Sequence, residues 1–246
     1  MENTNNQSGD EIQNIDAKSL DKLNIQSNKN IGQNIFKFRP LVNQEYLPLN
    51  WKGPIQYPGL VRIRTPMDGS CFFHAIAKSY CKPYIIGVKN GISINRREFV
   101  QSLRKDLAYK LAEPIDPKNP KSPRHYDILS RGKLSEFSKA VPKYSLSNLQ
   151  KELLSNRPVD NIYNEFISNQ INKDIYLLDF LKQDVYITGN DSDILYKNRN
   201  SIILLTLPGH YELVGVKHND SIQTIFKHND PLIKIIKNRF KIIHQN

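Results

Sequence analysis

The chain has 246 residues, of which 39% are hydrophobic and 24% are charged, and its formal net charge is +11 at pH 7. This composition is typical of a soluble globular protein with enough apolar mass for a sizeable core. No stretch approaches the roughly eighteen apolar residues of a membrane-spanning helix, and the first residues lack the apolar run of a signal peptide. We therefore expect no membrane partner and a cytoplasmic location, with the nucleus as the alternative.

The charge is unevenly divided along the chain. Residues 1–45 carry a net charge of −1, so the remaining residues carry +12. The first 34 residues include eight Asn and four Gln, and such a stretch buries too little apolar surface to offset the entropy of ordering it. We predict a flexible tail over residues 1–45 and a folded domain over residues 46–246. Nucleic acid is a disfavoured partner, because the basic residues form no arginine-rich tract.

The first half of the domain is predicted to be helical. Residues 50–66 are interpreted as an irregular approach to the domain. A helix is predicted to begin at Cys71, where apolar residues repeat at helical spacing, and to stop at Pro83. A second amphipathic helix is predicted over residues 94–113, and a proline-rich extended loop follows over residues 114–123.

The second half of the domain changes from helices to strands. Residues 145–155 and 159–172 have helical patterns. Short strands rich in β-branched and aromatic residues are then predicted at DIYLLDF, DVYITG, SIILLTL, YELVGVK and SIQTIF, and the turn HND joins the last two as a hairpin. A basic amphipathic helix capped by Asp230 closes the chain. This order indicates an α+β fold with a central, mostly antiparallel sheet flanked by helices.

The chain has two cysteines, Cys71 and Cys81, and no Cys-x-x-Cys or closely spaced His pair. Residues ten apart on one helix are separated by about 15 Å along its axis, which is too far for a disulfide. The sequence therefore predicts no disulfide framework and no structural zinc site.

Cys71 is the candidate nucleophile of the two. A cysteine attacks as its thiolate, and the N–H groups and partial positive charge at a helix N-terminus lower the pKa of a thiol. Gly69 permits a tight turn, so the backbone amides of Gly69, Ser70 and Cys71 are candidates for an oxyanion hole. Cys81 lies at the opposite end of the same predicted helix, where the dipole disfavours a thiolate, and is interpreted as structural.

A nucleophilic cysteine also needs a base, which is usually a histidine oriented by a third polar group. Of the six histidines, His210 is the best placed, because it follows a strand and the turn LPG and opens the next strand. Residues i and i+2 of a strand share a face, so Glu212 points the same way as His210. Taken alone, a histidine at a strand edge or a single cysteine is more often structural.

Three segments together resemble the ovarian-tumour (OTU) family of cysteine proteases and deubiquitinases. TPMDGSCFFHAIA resembles the family's cysteine motif, GHYELVGV its histidine motif and NKDIYLLD its intervening strand. The resemblance covers roughly residues 55–220 and implies a papain-related cysteine protease fold. It also implies that Cys71 is the nucleophile and His210 the general base. Asp68 would shape the oxyanion loop or support His210, and Glu212 stands where the family usually has Asn or Asp.

The resemblance implies a monomeric enzyme that hydrolyses isopeptide bonds after the C-terminal glycine of ubiquitin or polyubiquitin, without metal or cofactor. Gly69, Ser70 and Gly209 would line the channel for the end of ubiquitin. Since ubiquitin's tail and recognition face are basic, a local acidic patch is expected, with Asp127, Glu136 and Glu165 as candidates.

Three alternatives remain open: a protease for a ubiquitin-like modifier, a catalytically weak ubiquitin-binding protein, and a nucleic-acid-binding protein. The abundance of Asn, Ile and Lys is similar to that of proteins from AT-rich genomes, including large DNA viruses. For a viral protein the location would be the host cytoplasm.

Overall fold

The computed structural model describes residues 46–159, 161–186, 192–219 and 221–244. The predicted tail over residues 1–45 lies outside the described residues. Within the described ranges, no helix combines the length and the apolar character that a membrane span requires.

The helices and strands alternate only in part along the chain. The α-helices of the described ranges are α1 (Cys71–Tyr80), α2 (Lys82–Ile86), α3 (Arg96–Ala112), α4 (Lys133–Ala140), α5 (Leu146–Leu154), α6 (Asn164–Ile171), α7 (Ser192–Leu195) and α8 (Pro231–His244). The strands are β1 (Tyr46–Pro48), β2 (Leu60–Ile63), β3 (Val88–Lys89), β4 (Ile92–Ser93), β5 (Asp174–Asp179), β6 (Asp184–Val185), β7 (Ser201–Leu207), β8 (His210–His218) and β9 (Ser221–Gln223).

The main sheet has the strand order β1-β2-β8-β7-β5-β6, and β9 pairs with β8. The pairing of β5 with β7 is parallel, and the other pairings of this sheet are antiparallel. Strands β3 and β4 form a separate antiparallel hairpin. The predicted fold class is therefore confirmed: an α+β fold with a mostly antiparallel central sheet.

The sheet is buried on both faces. On one face, Ile175 and Leu177 of β5 pack in a core with α1, α3, α5 and α6. On the other face, Tyr176 and Leu178 of the same strand pack with α8 and with Trp51. Burial on both faces explains why the central strands read as nearly continuous apolar runs rather than as alternating ones.

Most predicted elements are confirmed. The predicted helices correspond to α1, α3, α5, α6 and α8, and the predicted strands to β5 through β9. The Asp230 carboxylate accepts a hydrogen bond from the Leu232 N–H at 3.0 Å, as expected of an N-cap. Strands β8 and β9 form the predicted hairpin, with His218 opposite Ser221.

The beginning of the domain was interpreted wrongly. Residues 50–66, predicted to be an irregular approach to the domain, contain β2, which pairs with β8 in the main sheet. Its four residues are too few to show a clear period between the flanking Pro58-Gly59 and Pro66. Helix α4 was missed as well, because it is short and its single buried apolar residue is Leu134.

Candidate active site

Cys71 is the first residue of α1 and is buried, with 3% of its surface exposed. It follows a tight loop over residues 68–70, which we call the Cys71 loop. Gly69 in this loop has a φ of +80°, and a Cβ at this position would lie 1.8 Å from the Asn156 carbonyl oxygen. The loop is therefore wedged against the backbone after α5, and only glycine fits there.

Helix α1 brings Cys71 to the end of the sheet where β8 begins. The Phe72 ring packs edge-on against the Tyr211 ring at a centroid distance of 5.3 Å. The backbone N–H of Tyr211 lies close enough to the Cys71 sulfur to act on the pKa of the thiol, which it lowers. Since Tyr211 directly follows His210, the structure brings the two predicted catalytic residues to the same end of the sheet.

The pKa of the Cys71 thiol is raised above its ordinary value of 9.0, because burial disfavours the thiolate. The N–H groups of Tyr211, Phe72 and Cys71 itself act in the opposite direction, and the charge of Asp68 adds to the increase. The sequence led us to expect a pKa lowered by the helix N-terminus. Burial outweighs this effect, so the thiol needs a base to remove its proton.

His210 opens β8 after the turn Pro208-Gly209 and is 9% exposed. Its Nε2 atom lies 3.4 Å from Thr65 Oγ1 and 4.0 Å from Glu212 Oε1. Burial lowers the pKa of His210 below its ordinary 6.5, although the charge of Glu212 raises it, and Arg62 lowers it further. The imidazole is therefore neutral at pH 7 and able to accept a proton.

The Thr65 hydroxyl favours one tautomer of His210. The single hydroxyl proton of Thr65 is donated to the Tyr211 carbonyl oxygen. Toward His210 Nε2 the hydroxyl oxygen is then an acceptor, which favours the tautomer with the imidazole proton on Nε2. This leaves Nδ1 as the basic nitrogen.

Glu212 lies between His210 and Arg62. Its side chain is 8% exposed, and its Oε2 atom is 3.5 Å from Arg62 Nη1. Within the described part of the chain, Oε2 has no hydrogen-bond partner. The Arg62 guanidinium in turn lies over the Phe180 ring, 5.7 Å from its centroid. The Glu212 carboxylate thus lies near the Arg62 guanidinium, at 3.5 Å, and the His210 imidazole, at 4.0 Å. Both distances are longer than that of a typical direct hydrogen bond.

Asp68 is engaged within its own loop and α1. One carboxylate oxygen accepts the Ser70 N–H at 3.0 Å, and the other lies 3.0 Å from His74 Nε2. His74 is fully buried, and its Nδ1 lies 2.6 Å from the Tyr84 hydroxyl oxygen. Among the described contacts, none joins Asp68 to His210. Because Asp68 takes the Ser70 amide, the amides of Gly69 and Cys71 are the better candidates for oxyanion donors.

Net interactions keep Asp68 charged. Burial acts to raise its pKa, but the hydrogen bond from Ser70, the charge and hydrogen bond of His74 and the charge of Arg97 hold it below its ordinary value of 3.8. Beside the loop, a cavity of about 150 Å³ is lined by Asp68, Ser70, Arg97, Gln101 and Asn156.

The other predicted residues are placed as follows. Gly209 is exposed, with a φ of +67°, and a Cβ there would meet no atom within 4 Å. Cys81 is buried after the end of α1. Asp127 is paired with Arg124, and Glu165 accepts the Ser130 N–H at 2.7 Å, which engages two of the three acidic candidates.

Four residues around this site were not predicted from the sequence: Arg62, Thr65, Arg104 and, as the hydrogen-bond partner of Asp68, His74. One signal was readable for Arg104, because it lies within the apolar stripe of α3 formed by Val100, Leu103, Leu107, Ala108 and Leu111. A charged residue at a core position of an amphipathic helix indicates a buried polar network.

Comparisons with protein-family models and with curated proteins find no match. Among solved structures, the chain is similar to an OTU domain in complex with ubiquitin, with 18% identity, a TM-score of 0.47, and coverage of 73% of this chain and 81% of that chain. It is similar to the OTU domain of OTUD1, with 15% identity, a TM-score of 0.38, and coverage of 63% and 85%.

A third similar structure is an OTU deubiquitinase from Wolbachia pipientis wMel, with 12% identity, a TM-score of 0.38, and coverage of 74% of this chain and 98% of that chain. All three structures are OTU domains, the family whose motifs the segments around Cys71 and His210 resemble.

Proposed function

We propose that this protein is a cysteine-type deubiquitinase that hydrolyses isopeptide bonds after the C-terminal glycine of ubiquitin. One observation carries the proposal: the N-terminus of α1, where Cys71 lies, packs against the residue that follows His210, with the Phe72 and Tyr211 rings 5.3 Å apart. Nucleophilic catalysis by cysteine requires a thiol and a neutral imidazole that can remove its proton, and both groups lie at this end of the sheet. The OTU-like motifs around both residues support ubiquitin as the substrate.

In the first half of the reaction, His210 Nδ1 takes the proton of the Cys71 thiol as the sulfur attacks the carbonyl carbon of the glycine. The resulting oxyanion is stabilised by the backbone amides of Gly69 and Cys71. The imidazolium then protonates the lysine amine of the leaving group, the C–N bond breaks, and a thioester with ubiquitin remains. In the second half, His210 activates a water molecule that hydrolyses the thioester.

Glu212 and Asp68 have different roles in this scheme. The Glu212 carboxylate stabilises the imidazolium that forms on His210, and its Oε2 atom lies 3.5 Å from Arg62 Nη1. Asp68 holds the Cys71 loop through the Ser70 amide and His74. The exposed turn Pro208-Gly209 forms one wall of the channel for the glycine end of ubiquitin.

The proposal is tested with ubiquitin that carries a fluorogenic amide on its C-terminal glycine. We expect release of the fluorophore by the parent chain and by Cys81→Ala, and none by Cys71→Ala. A ubiquitin-like modifier with the same fluorogenic group is assayed in parallel. If only the modifier is hydrolysed, the substrate is the modifier and not ubiquitin. If ubiquitin binds but is not hydrolysed, the protein recognises ubiquitin without acting as a hydrolase.

A further inference from the structure

Arg104 is a buried cation next to the Cys71 loop. It lies on α3 with 1% of its surface exposed, and its guanidinium is 4.8 Å from the centroid of the Phe73 ring. None of the ion pairs among the described residues includes Arg104. Burying a charge without a carboxylate partner is costly, so the environment of this side chain requires an explanation.

The guanidinium links the Cys71 loop to the end of α5. Its Nη1 atom donates to Ser70 Oγ at 2.8 Å and to the Gly69 carbonyl oxygen at 3.3 Å. Its other edge donates at 2.9 Å to the backbone carbonyl oxygens of Glu152, Leu153 and Arg157. These five contacts match the five N–H donors of an arginine side chain.

This arrangement fixes the orientation of one peptide group. The C=O and N–H of a trans peptide point in opposite directions. Arg104 holds the Gly69 carbonyl, while the N–H of the same peptide, on Ser70, points to the Asp68 carboxylate. A rotated peptide would turn the carbonyl oxygen toward that carboxylate and lose both hydrogen bonds.

We propose that Arg104 is a positioning residue of the active site, which holds the Cys71 loop in the orientation that directs its amides at the oxyanion. This inference rests on the proposed function of Cys71 as a nucleophile. Arg104 touches neither the substrate nor the reacting sulfur through a hydrogen bond in the described contacts. It acts through the Gly69–Ser70 peptide.

The electrostatics around Arg104 agree with this role. Burial lowers the pKa of Arg104, and the charges of Tyr163, Glu152, Asp68 and Cys71 raise it. An anion on Cys71 is thus favoured by the guanidinium. The charge of Asp68 raises the pKa of Cys71 from its own loop, and the charge of Cys71 raises the pKa of Arg104 on α3.

The test compares two reactions of the same thiol in the full chain with Cys81→Ala, which leaves Cys71 as the only cysteine. Acylation by 4-nitrophenyl acetate forms an S–C bond through a tetrahedral oxyanion and expels 4-nitrophenolate. Alkylation by iodoacetamide forms an S–C bond and expels iodide without any oxyanion. Both need the thiolate, so the ratio of the two rate constants reports oxyanion stabilisation rather than thiol pKa or accessibility.

Arg104→Lys keeps the charge but loses the forked geometry. We expect it to lower the acylation-to-alkylation ratio on the order of tenfold. Complete removal of one oxyanion donor lowers a rate by about 10²–10³-fold, and a donor that is only misdirected should cost less. Ser70→Ala deletes one acceptor and should lower the ratio by roughly fivefold, the effect of a lost interaction of about 1 kcal/mol. Thermal unfolding is recorded for each variant, and the rates are measured well below its transition.

Arg199→Lys is the matched control. Arg199 is also a largely buried arginine, with hydrogen bonds to Asp174, Ser168 and Asn169, but it precedes β7 at the end of the strand opposite to His210. It should lower the unfolding temperature and leave the ratio unchanged. An equal ratio in the parent, Arg104→Lys and Arg199→Lys would overturn the positioning role.

The two proposals fail in different ways. If the parent chain does not hydrolyse ubiquitin but Arg104→Lys still changes the acylation-to-alkylation ratio, the role of Arg104 is supported and ubiquitin is rejected as the substrate. A parent thiol that reacts with neither reagent at any pH would reject the nucleophile and the role of Arg104 together.

Discussion

At the scale of single residues, the site depends on how burial and two charged side chains act on one imidazole. His210 is kept neutral by burial, the Glu212 charge opposes this effect, and Arg62 assists it. Because His210 must be neutral to accept the thiol proton, the reaction should fail as the pH falls through its pKa. That pKa lies below the ordinary 6.5, so we expect full activity at neutral pH and an acid limb below 6.5.

The opposite effects of Glu212 and Arg62 predict opposite shifts of this acid limb. Glu212→Gln removes the charge that raises the pKa of His210, so the limb should move to lower pH. Arg62→Gln removes a charge that lowers this pKa, so the limb should move to higher pH. The measurement is the rate of ubiquitin–amide hydrolysis between pH 5 and 8, a range in which histidine titrates.

Asp184→Asn is the control for this pair of variants, because Asp184 pairs with Arg239 away from His210. It should leave the limb where it is. Shifts of Glu212→Gln and Arg62→Gln in the same direction would reject the assignment of Glu212 and Arg62 to His210.

Thr65 is predicted to hold His210 in the tautomer with its proton on Nε2. Thr65→Val should lower the rate of hydrolysis roughly fivefold, the effect of a lost interaction of about 1 kcal/mol. Thr224→Val is the matched control, because Thr224 is also buried and its hydroxyl donates to the Ser79 carbonyl at 2.7 Å. Both variants should lose similar unfolding free energy in urea. Equal rates for the two variants would show that the hydroxyl of Thr65 acts only on stability.

At the scale of elements, the Cys71 loop is held by backbone contact as well as by side chains. Gly69→Ala should cost more unfolding free energy than Gly91→Ala, although both residues have a φ of +80°. Each substitution carries a strain of about 1–2 kcal/mol. Only at Gly69 would the new Cβ also meet backbone, the Asn156 carbonyl, which adds about 1–3 kcal/mol. Equal losses in urea unfolding would contradict the tight packing of this loop.

The same elements explain what the sequence could and could not predict. Helices α1 and α3 and strand β7 have strong local patterns, so their positions follow from periodicity and composition. Strand β2 does not, because four residues give no period. The contacts of Asp68 depend on His74 and Arg97, and Arg97 belongs to an element that packs nearby only in the folded chain. Long-range pairings of this kind cannot be read from local patterns.

At the scale of the whole molecule, the positive charge belongs to residues 46–246, whereas residues 1–45 are nearly neutral. The proposed site is built from elements that lie between β2 and β8. We therefore predict that a chain of residues 46–246 hydrolyses ubiquitin amides at the same rate as the full chain. A large loss of rate, with an unchanged unfolding temperature, would assign a role in substrate binding to residues 1–45.

The most direct test of the central claim is covalent capture of the nucleophile. Ubiquitin with a thiol-reactive group at its C-terminus is incubated with the parent chain, Cys71→Ala and Cys81→Ala, and the products are examined by intact mass and peptide mapping. The account predicts one ubiquitin adduct on the parent and on Cys81→Ala, mapped to Cys71, and none on Cys71→Ala. An adduct on Cys81, or no adduct on a folded parent chain, would contradict it.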